Sequence, residues 1–206
     1  YVTLTEDGLL VGLSYFSLDV VLAQDGSLVS SQESDSLTDS GSLSDNKWVS
    51  AVGDTLYLAQ TDEQGNVNGL LQMQLDGSNG AKKKEVLPFS QDSYSSAYFS
   101  VLGDGTVYAA DADGFFRCDA GDTNWQKLLQ GIDTGFSLSD QWCRDIVALS
   151  DGSVYAWFGS ESGDKIMIYR YDPDAVTEVT EELTLYTVEE SFFLQQAAVQ
   201  YHKQHP

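Results

Sequence analysis

Four aromatic residues, Trp48, Tyr98, Trp142 and Trp157, are the side chains best suited to holding a ligand. Trp48 and Tyr98 each stand six residues before an aspartate that recurs along the chain, and Trp142 and Trp157 bracket the last such aspartate. Exposed at the mouth of a pocket, such rings stack on sugars or peptides. Aromatic residues are commonly core, however, so packing between sheets is the simpler expectation for the same four positions.

Catalytic chemistry finds little support. The 32 acidic residues make chance carboxylate pairs inevitable, and most lie in turns, where aspartate binds its own backbone rather than serving as a general acid or base. A Ser-His-Asp arrangement lacks histidine, because His202 and His205 both fall at the C-terminus. These two also lack a third metal ligand nearby. Asp111-Ala-Asp113-Gly114 has the opening of a calcium loop, but a loop counted from Ala109 places Ala120 where a bidentate Glu is needed. A tight turn accounts better for this segment. Recognition of a substrate carboxylate, as in a sialidase, calls for clustered arginines. The chain has Arg117, Arg144 and Arg170. Phosphate-cradling glycine loops are missing. The expectation is a chain with no catalytic residues, no metal and no cofactor.

Charge narrows the partners. A formal net charge of −22 excludes nucleic acid, which requires a basic surface, and disfavours anionic membranes. Lys82-Lys83-Lys84 is the one basic run, and it suits a solvated strand edge, where lysines discourage strand addition. Hydrophobic residues at 42% and aromatics at 12% describe a globular chain, whose apolar stretches are too short to span a membrane. The chain opens on Tyr1 rather than Met, which suggests a processed or trimmed start. Cys118 and Cys143 fit either a pair bridging neighbouring strands or two separate buried thiols.

The elements that position these residues show in an internal repeat. Val2–Gly12, Trp48–Ala59, Tyr98–Ala110 and Asp145–Trp157 each read as an apolar strand, an Asp-containing tight turn and a second strand. The marker aspartates Asp7, Asp54, Asp104 and Asp151 are 47, 50 and 47 residues apart. Asp-Gly between alternating apolar runs is a strong hairpin signal, with positive φ expected at both turn positions. A second set, Asp25, Asp76, Asp119 and Asp172, closes a third strand in each unit, and a more polar fourth segment follows. Four-stranded units repeating at roughly 40–50 residues predict β-propeller blades. The innermost strands carry small apolar residues, Val49, Ala51, Val147 and Ala148, expected to pack on both faces. The Ser/Asp-rich run from Ser30 to Asn46 reads as a loop or a poorly defined outer strand. The expected units are 1–46, 47–95, 96–140 and 141–177, giving about four four-stranded blades over residues 1–177.

Residues 178–206 differ. Glu182–Val188 reads as a strand and Glu189–Gln204 as a helix with Leu194, Ala197, Ala198 and Tyr201 on one stripe. Glu189 and Glu190 suit its first turn, and His202, Lys203 and His205 its last. Pro206 stops it.

Two resemblances follow. Asp119-Ala-Gly121-Asp-Thr123-Asn-Trp125 resembles an Asp-box, the turn between outer strands of many propellers, with the Trp displaced by one residue and Arg117 where a Ser is usual. In that family the turn is structural. Leu183-Thr-Leu-Tyr-Thr-Val188 followed by Gln195–Pro206 resembles the opening of a family 1 extracellular solute-binding protein, the substrate receptor of ABC importers. With the repeats before it, the layout is similar to lipoproteins of Gram-positive bacteria in which a propeller-like region precedes the solute-binding fold. The resemblance implies an extracellular, lipid-anchored protein that meets a membrane permease through a downstream domain. It carries over no ligand-contacting residue.

The resulting expectation is an all-β, propeller-like chain with a C-terminal strand–helix fragment. Its expected role is non-catalytic recognition or scaffolding, with a carbohydrate or peptide ligand. An extracellular glycan-active propeller enzyme, glycoside hydrolase or sialidase-like, is the alternative. Arginine, glutamate and tyrosine clustered in further blades would mark it.

Overall fold

A computed structural model describes residues 2–5, 8–14, 17–22, 24–33, 37, 48–62, 64, 66–76, 80–89, 96–136, 141–170, 194, 197–198 and 200–201. The markers Asp7 and Asp172, most of the 30–46 run, the 182–188 strand and both histidines lie outside these residues. Within the predicted terminal helix, Leu194, Ala197, Ala198, Gln200 and Tyr201 are helical and exposed.

Each repeat folds into one antiparallel sheet whose strands follow chain order. The first sheet holds β1 (Val2–Leu4), β2 (Leu9–Leu13), β3 (Ser17–Leu22) and β4 (Leu28–Glu33). The second holds β5 (Val49–Val52), β6 (Thr55–Thr61), β7 (Val67–Asp76) and β8 (Gly80–Pro88). The third holds β9 (Tyr98–Val101), β10 (Val107–Asp111), β11 (Gly114–Cys118) and β12 (Gln126–Gln130). The fourth shows three strands, β13 (Gln141–Ala148), β14 (Val154–Ser160) and β15 (Lys165–Tyr169). Its expected outer strand falls after Arg170, outside the described residues. The first strands of successive sheets lie side by side, β1 by β5, β5 by β9 and β9 by β13. This is a four-blade β-propeller arrangement. At the last of these junctions, the Ala148 amide donates to Ser100 Oγ at 2.9 Å.

Alternation along the strands builds the packing between sheets. Leu9, Val11 and Leu13 of β2 turn toward Leu56 and Leu58 of β6 in one buried cluster. Tyr57 and Ala59, on the opposite face of β6, join Phe99, Val107 and Ala109 of the third sheet. Tyr108, Ala110 and Phe115 in turn meet Cys143, Ile146, Ala156 and Phe158 of the fourth. Lys82, Lys83 and Lys84 lie exposed on the outer strand β8, as an edge requires. One expectation fails: Val147 is 51% exposed, because the face of β13 that carries it has no sheet against it.

The aspartate turns differ from the expected geometry. Among the described residues none other than glycine has positive φ, so Asp104 and Asp151 keep ordinary φ while Gly105 (φ 90°) and Gly152 (φ 83°) take the left-handed position. Gly105 N–H donates to Leu102 O at 2.9 Å, and Leu102 N–H donates to Thr106 O at 2.9 Å. That is a type I turn closed by a glycine bulge, a three-residue loop. The second repeat reverses the order to Gly53-Asp54 and needs only two loop residues between Val52 and Thr55.

The aspartates are turn formers. Asp104 Oδ1 accepts the Thr106 N–H at 2.9 Å, and Asp151 Oδ1 accepts that of Ser153 at 2.9 Å. Asp25 receives the Ser27 hydroxyl and amide in the same way. Bonds to Thr106 hold the Asp104 carboxyl below the ordinary aspartate range, and bonds to Ser153 do so for Asp151. A lowered folded value means stabilisation that is complete above the unfolded value and lost as pH falls through the folded one. Replacing both with alanine is therefore expected to lower the melting temperature at pH 7, with the gap to the parent closing in strong acid. A gap independent of pH would contradict this role.

The Asp-box-like turn joins β11 to β12, between the outer strands as expected. Its Trp125 indole lies edge-on to Phe89 at 4.9 Å and donates from Nε1 to Pro88 O at 2.7 Å. The turn thereby ties the third sheet to the second.

Candidate functional site

The four aromatic candidates separate into two pairs. Trp48 is half-buried against the cluster between the second and third sheets, 5.7 Å from the Phe99 ring. Tyr98 packs against the cluster between the third and fourth, 6.4 Å from Phe136. Both serve packing between blades. Trp142 and Trp157 stand 49% and 44% exposed on the open face of the fourth sheet.

A register shift between Cys143 and Asp145 brings these two indoles together around a cation. β13 pairs with β14 from Gln141↔Ser160 to Cys143↔Phe158, then resumes at Asp145↔Trp157, leaving Arg144 as the extra residue. Arg144 and Asp145 are both exposed as a result. The Arg144 guanidinium sits 5.7 Å from the Trp142 ring and 5.3 Å from that of Trp157, within cation–π range of both. Its Nη2 also reaches Asp164 Oδ1 at 3.4 Å.

Gly159 makes the arrangement fit. A Cβ there would lie 2.8 Å from the Trp142 ring and 2.7 Å from Arg144 Nε. A bare backbone lets both side chains lie across β14. Sequence reading weighed Arg144 only as one of three arginines for a substrate carboxylate, and it passed over Gly159. The pattern Trp142-x-Arg144 would normally place both side chains on one face, but no turn residue or pattern break announces the bulge.

Beside Trp142 opens a cleft of about 410 Å³, lined by Gln141, Trp142, Ser160, Glu161, Ser162, Gly163, Asp164 and Lys165. The β14–β15 hairpin forms its wall, and its own bonds hold that hairpin. Ser160 Oγ donates to Gly163 O at 2.7 Å, and the Gly163 amide donates to Ser160 O at 3.1 Å. The Glu161 carboxylate and the Lys165 ammonium lie at the rim beside the Arg144–Asp164 pair, placed to meet hydroxyl or amide groups.

A second cleft, of about 220 Å³, runs between the second and third sheets past Lys84, Glu85, Asp104 and Asp119. It has no exposed aromatic wall. Arg117 pairs with the cleft-lining Asp119 at 2.7 Å.

Neither described cysteine is activated as a nucleophile. Burial pushes the Cys143 thiol up to about 12, and its Sγ approaches Asp145 O at 3.5 Å. Burial also raises Cys118, aided by Asp122 and Asp119. Both cysteines are free thiols and belong to different cores, which decides for separate thiols over a bridge. Neither is expected to react with a thiol reagent at pH 8 until the protein is denatured. Prompt labelling in the native state would show an open core. Among the described residues, no group of three His, Cys, Asp or Glu side chains could hold a metal ion, and no helix is long and apolar enough to cross a membrane.

No family model matches the chain, and no curated protein does. Among solved structures it is similar to one named as the extracellular domain of a hybrid two component system from B. thetaiotaomicron. Identity there is 16% with a TM-score of 0.52, covering 84% of this chain and 21% of that one. The chain thus spans about a fifth of that domain's length. It also matches the N-terminal domain of Nup159 at 11% identity and a TM-score of 0.42, covering 84% of this chain and 44% of that one. At these identities the likeness concerns the fold.

Proposed function

We propose that this chain is an extracellular recognition module, a non-catalytic β-propeller that holds a carbohydrate ring against Trp142 in the cleft of the fourth sheet. The observation that carries the reading is the exposed indole, laid across Gly159 and braced by Arg144 at the mouth of a polar cleft. An indole face offers a flat apolar platform to the C–H face of a sugar, and charged rim groups select among its hydroxyls.

Two features support an exterior setting. The similar structure from B. thetaiotaomicron is named as an extracellular domain, and the −22 charge suits solubility there. The finer assignment is to a solute-binding lipoprotein, lipid-anchored and coupled to an importer permease. It rests on the resemblance of residues 182–206 and on the layout of repeats that precedes them.

Titration of the parent protein against a panel of oligosaccharides and peptides, followed by calorimetry, tests the reading. Trp142→Ala is expected to weaken carbohydrate binding by at least about tenfold, since truncated aromatic anchors cost this much or more, while the melting temperature stays put. Equal binding by parent and variant, or no carbohydrate bound by the parent, would sink it. Shortened oligosaccharide after prolonged incubation would point to the enzyme instead.

A further inference from the structure

The cleft between the second and third sheets has both walls supplied by neighbouring blades of one chain. Strand register builds the first wall. Tyr57 of β6 pairs with Gln72 of β7, and Gln72 with Glu85 of β8. A phenol, an amide and a carboxylate thus form one row on the face that Tyr57 turns to the third sheet. The register then shifts between Gln72 and Met73, leaving Lys84 as an extra residue in the wall, 3.5 Å from Glu85 Oε1. Turn aspartates build the second wall, Asp104 before β10 and Asp119 and Asp122 between β11 and β12. Bonds to Thr106 hold the Asp104 carboxyl low, and bonds to Asn124 and Thr123 hold Asp122 low, so both are ionised at neutral pH.

Tyr57 adds what acidity alone does not. The residue is 7% exposed, yet its hydroxyl reaches the cleft, where a Cβ on Gly105 would lie 3.7 Å from it. Among the described residues, no donor or acceptor bonds to this hydroxyl. Burial and the Glu85 carboxylate raise its pKa, so it stays a neutral phenol whose oxygen can accept a hydrogen bond. The next blade shows what such a row holds. Tyr57 pairs with Ser50 as Tyr108 pairs with Ser100, and the equivalent row there runs Tyr108, Arg117, Gln126. The Arg117 guanidinium lies 6.0 Å from the Tyr108 ring and pairs with Asp119 at 2.7 Å. Gln72 stands in the second sheet where that arginine stands in the third.

We propose that this cleft binds a guanidinium group on an alkyl stem, whose N–H groups donate to the Tyr57 oxygen and to the Glu85 and Asp104 carboxylates. Glu85, Asp104, Asp119 and Asp122 outnumber Lys84 and Arg117 around it, so the site favours a cation. Among the described residues, no three acidic side chains are grouped to hold a metal ion, which turns the charge toward a larger organic cation. A guanidinium is planar, weakly hydrated and forked, and it matches separated carboxylates and an aromatic edge better than a compact ammonium does. At about 220 Å³ the cleft is smaller than those that hold drug-sized ligands, and it suits one such group. A free guanidinium compound and an arginine side chain of a peptide share this chemistry. The site is separate from the cleft beside Trp142, and the proposal does not rest on the carbohydrate reading.

An NMR titration of the 206-residue protein with agmatine, and separately with a blocked Gly-Arg-Gly peptide, tests it. The same peptide with citrulline in place of arginine is the neutral control. Saturable shifts are expected at the Gly105 and Gly121 amides and the Tyr57 ring. Tighter binding of agmatine assigns the site to a free compound, and tighter binding of the peptide to an arginine side chain. Tyr57→Phe, which removes only the hydroxyl, should raise the dissociation constant about tenfold, the loss of one hydrogen bond to a charged group. Glu85→Gln, at an exposed position, should weaken binding about threefold. Gln72→Arg should abolish it by placing a guanidinium in the row from within, and melting curves check that each variant is folded. No saturable shift at the cleft with either probe would overturn the proposal. So would equal affinity for the citrulline peptide, or parental affinity in the folded variants.

Discussion

Phe99→Ala lowers the free energy of unfolding by about 3–5 kcal/mol, the usual cost of deleting a fully buried phenylalanine. The side chain is wholly enclosed, with Trp48 tilted at 5.7 Å and Phe89 edge-on at 5.5 Å. Phe89 continues the chain of contacts to Phe116 and Trp125, so the cavity would open where the second and third sheets join. Repacking cannot readily fill it, because the neighbouring rings are held from several strands at once. Val2→Ala, at the corresponding register position of the first sheet, is expected to cost no more than about 0.5 kcal/mol, as for other exposed sites. Urea unfolding measures both, provided the slope is unchanged between parent and variants. A Val2→Ala cost close to that of a core residue would mean that the first strand is covered in solution.

Gly114→Ala is expected to be at least as damaging, costing about 3 kcal/mol or more through backbone strain combined with a steric clash. Gly114 has φ 146°, and a Cβ there would lie 2.0 Å from the Leu129 carbonyl oxygen. The glycine closes the β10–β11 turn, where Asp111 Oδ1 accepts the amides of Asp113 and Gly114 at 2.8 and 3.1 Å. Moving it would disturb both the turn and the pairing of β11 with β12. Gly121→Ala provides the contrast. Its φ is 76°, but the space around it is open, so the left-handed backbone alone is charged, about 1–2 kcal/mol. Thermal melts of the two variants should separate clearly. Equal losses would mean that the Leu129 carbonyl yields to the added methyl.

The blades were legible in the sequence because their boundaries are local chemistry. Asp104-Gly105 and Asp151-Gly152 write the turn into adjacent residues, and the continuous apolar runs Val107–Ala110 and Val154–Phe158 mark strands inside a sheet. The reading erred in detail on the turn type, since Asp-Gly also serves a type I turn with a glycine bulge.

What residue type could not settle was the fate of each tryptophan. Trp48 and Trp157 look alike in composition and in distance from a marker aspartate. One has a sheet packed against it and the other does not, and that difference depends on which blades stand next to which. The same physical fact explains Val147, apolar and small like Val49 but left bare by its position in the last sheet. Arg144 was illegible for another reason. Its place between two indoles follows from a one-residue bulge, and a bulge in a strand of ordinary composition leaves no sequence mark.

In the propeller, consecutive sheets pack face to face in chain order, and a methyl and aromatic NOESY spectrum of the protein tests this most directly. Cross-peaks are predicted between the first and second sheets within the Leu9, Val11, Leu56 and Leu58 group. Others are predicted between the second and third around Ala59, Phe99 and Ala109, and between the third and fourth around Ala110, Ile146 and Ala156. A spectrum with those three sets and none linking the first sheet to the third is the expected result. Contacts from Val11 or Leu18 directly to Phe99 or Val107, as two facing sheets of a sandwich would give, would contradict the propeller.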